Sequence, residues 1–171
     1  MKLGLITSIC EGMTFEEVVD FAAENGLECL EVACWPQGGA QRRYAGVSHI
    51  DVANLTEEKA KEIKDLCAAK GVEISALAYY PNTLEPDLEK RRSYIDHLYK
   101  LIDASAMLDV NMVTTFIGRI PNKNVTENLE EVKKVWPPIL DYAKEKGVKV
   151  AIENCPMLFT EDEWPGGQNL M

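Results

Sequence analysis

The chain has 171 residues, the length of one domain, and its 46% hydrophobic and 27% charged content is that of an ordinary globular protein. Lys and Arg number 18 against 28 Asp and Glu, a net charge of −10; such a surface repels phosphate backbones and argues against a nucleic-acid partner. The opening run Met1–Ile6 meets Glu11 too soon for a signal peptide, and no apolar stretch reaches spanning length, so the expectation is a cytoplasmic protein with no membrane partner.

In chain order, a first strand is predicted over residues 2–6. Helix 1 follows, with Thr14 as its cap, Glu17 reaching back in a capping box, and Phe15, Val18, Val19 and Ala22 on one face. It ends before Gly26, placed as a terminating glycine. Strand 2 is expected at 29–33, helix 2 at 56–70 with its stop at Gly71, strand 3 at 73–78 and helix 3 at 87–108. Strand 4 is expected at 111–116. Helix 4 is expected at 126–146, with a kink or break near Trp136 because Pro137 and Pro138 fall inside it. Strand 5 lies in the run 149–154. One joint recurs at 23–30, 69–76 and 144–151: a helix stops on glycine, one apolar residue docks, and a strand begins. Regular βα repetition of this kind implies parallel strands with right-handed crossovers.

Alternation along the strands bears on the architecture. Leu30 and Val32 oppose Glu31, Ile74 and Ala76 oppose Glu73 and Ser75, and Val150 and Ile152 oppose Lys149 and Glu153. A doubly wound sheet has helices on both faces and should read apolar on both. One charged face suits the wall of a barrel, with helices outside and a wet interior. The expectation is a partial (β/α)8 TIM barrel of about five parallel βα units, a single incomplete domain over residues 1–171. The alternative is a flavodoxin-like doubly wound sheet, which wants a phosphate-cradling loop after strand 1, and Thr7–Gly12 is a poor one.

Strand ends are where such folds gather chemistry. Glu153 closes the strand-5 run, where a carboxylate can hold a divalent cation or move a proton; otherwise it caps the next segment or pairs with a cation. Glu31, at the end of strand 2, either binds a substrate hydroxyl or makes an inward ion pair with Lys149 or a neighbour. Trp35 and Tyr79 form an apolar wall against a ligand ring or simply pack. His49, in the long stretch 34–54, meets a substrate or a phosphate or stands exposed, and Arg42 and Arg43 bind an anionic group or lie in a solvated loop. Asn82 and Asn154 suit hydroxyl recognition, although Asn also opens loops for turn reasons alone. His97, mid-helix, reads as structural. Five cysteines without a CxxC, and only two histidines, read as free thiols rather than a zinc site.

These runs carry a resemblance. Ile152–Met157 with Phe159–Gly167, Arg42–Asp51, Leu77–Asn82 and Thr115–Arg119 are similar to sugar phosphate isomerases/epimerases of the xylose-isomerase-like TIM-barrel superfamily. The resemblance runs over essentially the whole chain. It implies a divalent metal (manganese, magnesium or cobalt) at the barrel mouth, a small sugar or sugar phosphate as substrate, and proton transfer through an enediolate. Glu153 matches the strand-5 glutamate that in such relatives ligates the metal and serves as base. Two departures stand out. Eight βα units need roughly 250 residues, so the later ligands (an acid, a histidine and a final glutamate) have no strands here. The position that is histidine after Pro-Asn-x-Leu in relatives is Glu85. The expectation is therefore a chain inactive on its own, whose open sheet self-associates. The rival is a non-catalytic module that binds a small molecule or partner in the concave mouth. A phosphodiesterase of the endonuclease IV type would need a histidine-rich zinc cluster, which two histidines argue against.

Overall fold

The computed structural model describes residues 1–38 and 46–153. In chain order it contains β1 (Gly4–Ile6), a 3-10 turn (Thr7–Ile9), α1 (Phe15–Glu24), β2 (Cys29–Ala33), α2 (Glu57–Lys70), β3 (Glu73–Ala78), α3 (Leu88–Met107), β4 (Met112–Thr115), α4 (Val125–Glu145) and β5 (Lys149–Ile152). Each helix begins on a side chain that accepts from its own first turn. Thr14 and Asn124 form complete capping boxes with Glu17 and Glu127, while Thr56 and Asp87 accept from the amides of Lys59 and of Glu89 and Lys90. A cap of this kind contributes about 1 kcal/mol. No helix among the described residues is long and apolar enough to cross a membrane.

All four strand pairings are parallel and the order is β1-β2-β3-β4-β5. Sequential order separates the two architectures. A flavodoxin-like sheet runs 2-1-3-4-5, whereas a barrel wall adds each new strand beside the last. The chain forms five successive parallel units of a barrel wall. Gly4 is needed where β1 meets β2, because a Cβ there would lie 2.3 Å from the Cys29 carbonyl oxygen.

Helices pack on one face of the sheet. Leu30, Val32, Leu77 and Val113 point into that layer against Leu98, Leu101 and Ile102 of α3 and Ile139 of α4, all fully buried. Truncating one of these leucines to alanine costs on the order of 2–5 kcal/mol. The opposite face, the inner wall, carries Glu31, Ala33, Ala76, Ala78 and Thr114 in register. Among the described residues, β1 and β5 are the two edges of the sheet.

Two expectations need correction. First, β3 does not alternate without interruption. Leu30 pairs with Ile74 but Glu31 pairs with Ala76, so Ser75 is the extra residue of a bulge, its hydroxyl turned to the Leu30 carbonyl at 3.0 Å. Ala76 therefore lies on the inner face beside Glu31, not with Ile74, and every residue after the bulge changes side. Second, α4 does not break at Trp136: the helix runs on through Pro137 and Pro138. Each proline removes one helical hydrogen bond, to the carbonyls of Lys133 and Lys134. All four of these residues are exposed, so water can take up those carbonyls, while Trp136 and Ile139 stay buried and hold the helix to the sheet.

Candidate functional site

At the C-terminal ends of the strands the inner wall forms an open cleft of about 310 Å³, lined by Ile6, Glu31, Tyr80, Thr114, Ala151, Ile152 and Glu153. Glu31 is fixed in it by neighbours from two further strands. The Tyr80 phenol donates to Glu31 Oε1, and the Thr114 hydroxyl donates to the same oxygen at 2.8 Å. Phe116 supports the Tyr80 ring, with centroids 4.5 Å apart. Burial raises the Tyr80 phenol above its ordinary range, and the Glu31 contact and the nearby Glu153 charge push the same way. Tyr80 thus remains a donor throughout the physiological range.

Glu153 follows β5 directly. Its amide continues the ladder by donating to the Thr115 carbonyl at 3.0 Å, and its exposed side chain forms part of the cleft lining. Glu31 and Glu153 are the two carboxylates of that lining. Among the described residues no group of three or more His, Cys, Asp or Glu is placed to hold a metal ion. A catalytic divalent cation needs several fixed ligands, so these residues alone do not fit one.

The other predicted site residues lie elsewhere. Tyr79 faces the helices, 1% exposed, with its ring edge-on to His97 at 4.6 Å and to Trp35 at 5.0 Å. His97 in turn donates from Nε2 to the Cys34 carbonyl at 2.8 Å. Tyr79 and Trp35 therefore pack on the outer side of the sheet, away from the cleft. Asn82 is engaged as a tie: its amide donates to the Arg119 carbonyl at 2.8 Å, and its Oδ1 accepts from the amides of Arg119 and Leu84 at 2.9 and 3.1 Å. The tie needs Gly118, at φ +77°, where a Cβ would fall 2.0 Å from Asn82 Oδ1.

His49 stands behind the end of β2 rather than in the cleft. Nδ1 lies 2.9 Å from the Thr7 hydroxyl and Nε2 lies 3.3 Å from the Cys10 carbonyl, while Thr7 Oγ1 accepts from the Ala33 amide at 2.9 Å. A carbonyl can only accept, so Nε2 carries the proton, and burial lowers the His49 pKa and favours the neutral ring. The other side of His49 borders a groove of about 380 Å³ between α1 and α2. Glu31 takes the two hydroxyl donors where an ion pair with Lys149 was the alternative. Arg42, Arg43 and Asn154 lie outside the described residues.

Sequence reasoning missed Tyr80 and Thr114. Counted by twos from Ile74, Tyr79 points inward and Tyr80 outward; the bulge at Ser75 reverses both. The one signal available was the pair of adjacent tyrosines at a strand end, one of which has to face in.

Three comparisons bear on this arrangement. The chain is 27% identical over 150 residues to the protein called "Uncharacterized protein YfiH" of Bacillus subtilis (strain 168), covering 82% of this chain and 44% of that protein. It is similar in fold to D-psicose 3-epimerase from Clostridium cellulolyticum H10, solved with D-tagatose, at TM-score 0.67 and 16% identity, over 95% of this chain and 54% of that one. It is also similar to the IOLI protein solved with a zinc atom, at TM-score 0.64 and 14% identity, over 89% of this chain and 51% of that one. The chain thus spans about half the length of these proteins. The profile of the xylose isomerase-like TIM barrel family matches residues 19–167. With five sequential parallel strands and the cleft at their C-terminal ends, the chain belongs to the xylose isomerase-like TIM barrel family.

Proposed function

We propose that the cleft binds a small sugar or related polyol and that Glu153 serves as the proton-moving carboxylate of an isomerase or epimerase. What supports this reading is one observation: Glu31, Tyr80, Thr114 and Glu153 share a single cleft at the strand ends. The hydroxyls and the Glu31 carboxylate supply the donors and acceptors a polyol needs. A carboxylate beside the bound sugar can take the proton from the carbon next to a carbonyl. The C–H electrons then form the C=C bond of an enediolate, and returning the proton to the same or the neighbouring carbon inverts a centre or shifts the carbonyl. An enediolate in water needs its negative charge stabilised. In the whole barrel that role would fall to a divalent ion, manganese, magnesium or cobalt, with Glu153 as one ligand and further ligands on strands beyond β5. The described residues do not supply such a site, so turnover is assigned to the whole barrel and not to this chain alone.

The test is direct. The 171-residue chain, assayed with manganese on ketoses and their phosphate esters, is expected to epimerise or isomerise none of them faster than its Glu153→Gln variant. Turnover clearly above that control would overturn the division. A second reading rests on the Glu31 carboxylate held by two hydroxyls in the cleft, an arrangement that suits binding: a module that binds its ligand without turnover. Saturable sugar binding by the chain, together with inactivity of longer proteins carrying the same cleft, would select it.

The same open wall bears on partners. Among the described residues β5 is an edge strand, Ile152 on it is 40% exposed, and an edge left free pairs readily with another chain. Self-association through this edge is the partner reading. The net charge of −10 opposes it only within the screening length, roughly 8 Å at physiological salt. Light scattering over a dilution series decides, and a folded monomer at micromolar concentration would sink it.

A further inference from the structure

We infer that the cleft selects a neutral, multiply hydroxylated ligand over its phosphate ester, with Glu31 as the specificity-determining acceptor. The inference rests on the sugar-binding reading and narrows it. The described lining of the cleft holds two carboxylates, two hydroxyls and apolar side chains, and none of its residues is basic. Phosphate recognition ordinarily calls on Arg, Lys or a helix N-terminus. Here an ester bearing roughly −1.5 to −2 charge would approach Glu31 and Glu153 together.

Glu31 is set up for a hydroxyl in particular. Both of its described donors, Tyr80 and Thr114, bond the same oxygen, Oε1. Among the described residues Oε2 has no donor, and it serves as the acceptor for a ligand. The carboxylate is thereby oriented before a ligand arrives, and a hydroxyl meeting Oε2 need not bear the cost of ordering it. Tyr80 stays protonated, so it cannot turn to present a second negative oxygen. A neutral polyol gains a charge-assisted hydrogen bond at this position. An anion placed there meets repulsion instead, amounting to about tenfold or more in affinity for like charges a few ångströms apart near a protein surface.

The experiment titrates D-tagatose, the sugar present with the Clostridium epimerase, and D-tagatose 6-phosphate separately into the 15N-labelled chain in chelator-treated buffer. Amide shifts are followed by NMR. The expected result is saturable movement of the Glu31, Thr114 and Glu153 amides with D-tagatose, and affinity for the ester lower by about tenfold or more. Glu31→Gln should bring the two affinities together by weakening the sugar and relieving the ester. Tyr80→Phe, which keeps the charge and removes one constraint on it, should weaken both ligands and preserve their ratio. Should Glu31→Gln fail to fold by circular dichroism, Glu153→Gln carries the same test, because that side chain is exposed and removes one of the two charges. Ester binding as tight as sugar binding overturns the selectivity and leaves the sugar reading standing. A ratio unchanged in the folded Gln variants removes the discrimination from these carboxylates. No response to either ligand overturns the sugar reading, and the inference with it.

Discussion

Glu31, halfway along β2 and not at its end as the sequence suggested, and Glu153, directly after β5, are two glutamates on one inner wall, both lining the same cleft. Glu31 lies on an interior strand of the sheet, where the segment after β3 and β4 bring up a phenol and a hydroxyl to grip one of its oxygens. Glu153 follows the edge strand β5, and its described anchor is its backbone amide on Thr115. The difference follows from position: both groups on Glu31 reach it from the β3–β4 side of β2, whereas Glu153 follows a strand that, among the described residues, has β4 as its neighbour. A carboxylate gripped before its ligand arrives is suited to recognition. One whose described tie is its backbone amide has, among the described residues, no side-chain partner holding its oxygens.

The largest effect that could break this comparison is on rate. In a longer relative that is active, replacing the residue matching Glu153 by Gln should lower turnover roughly 10²–10⁴-fold. In the present chain Glu153→Gln should change stability by less than about 0.5 kcal/mol, as expected for an exposed side chain. Urea melts and steady-state kinetics read the two halves. Near-normal turnover in the relative would make Glu153 a structural residue and erase the contrast.

The next effect is on stability, and it falls on the other carboxylate. Glu31→Ala takes the acceptor from the half-buried Tyr80 and from Thr114, and should cost about 1–3 kcal/mol. Urea unfolding of the two alanine variants side by side checks it. Equal losses for Glu31→Ala and Glu153→Ala would show that the grip on Glu31 is nominal. A smaller effect sharpens the point: a double-mutant cycle of Glu31→Gln with Tyr80→Phe should give a coupling of roughly 0.5–2 kcal/mol. The same cycle of Glu153→Gln with Tyr80→Phe should give near zero. Coupling of similar size in both cycles would place the two carboxylates in one network.

Much of the frame was legible because it depends on local chemistry. Thr14 with Glu17, and Gly71 at φ +68°, mark helix ends through hydrogen bonds within a few residues, and β2 and β3 begin and end where their apolar runs do. The Asn124 cap was overlooked, although Glu127 three residues on is the same signal. The facing of Tyr79 and Tyr80 was not legible. It depends on the bulge at Ser75, which is a fact about pairing with β2 and leaves no local mark in β3. Asn82 was chosen for the right location, a strand end, but its amide is used on the Gly118–Arg119 turn, a partner far along the chain. Glu153 is legible because a carboxylate closing an apolar run stands out in one dimension, and Glu31 because it is the one charge inside the apolar run of β2.

The smallest expected effect concerns pH, and it should touch only the Glu31 side of the comparison. His49 hydrogen-bonds the Thr7 hydroxyl, and that hydroxyl receives the Ala33 amide two residues beyond Glu31. Burial lowers the His49 pKa below its ordinary value near 6.5, while backbone carbonyls at Cys10 and Met13 pull weakly the other way. His97, buried against Cys34 and Tyr79, is lowered mainly by burial too. With the folded pKa below the unfolded one, the unfolded chain binds more protons as pH falls through about 6.5. Stability from these two rings is therefore complete above that pH and is lost progressively below it, until the folded pKa is passed. Melting temperature should fall between pH 7.5 and 5.5, and His49→Asn should shrink the drop. In NMR spectra of the same titration, the amides of Ala33 and Glu31 should shift before those of Val150 and Ala151. A melting temperature that holds or rises over this range, or β5 amides that respond first, would show that the end of β2 is not tied to the histidine.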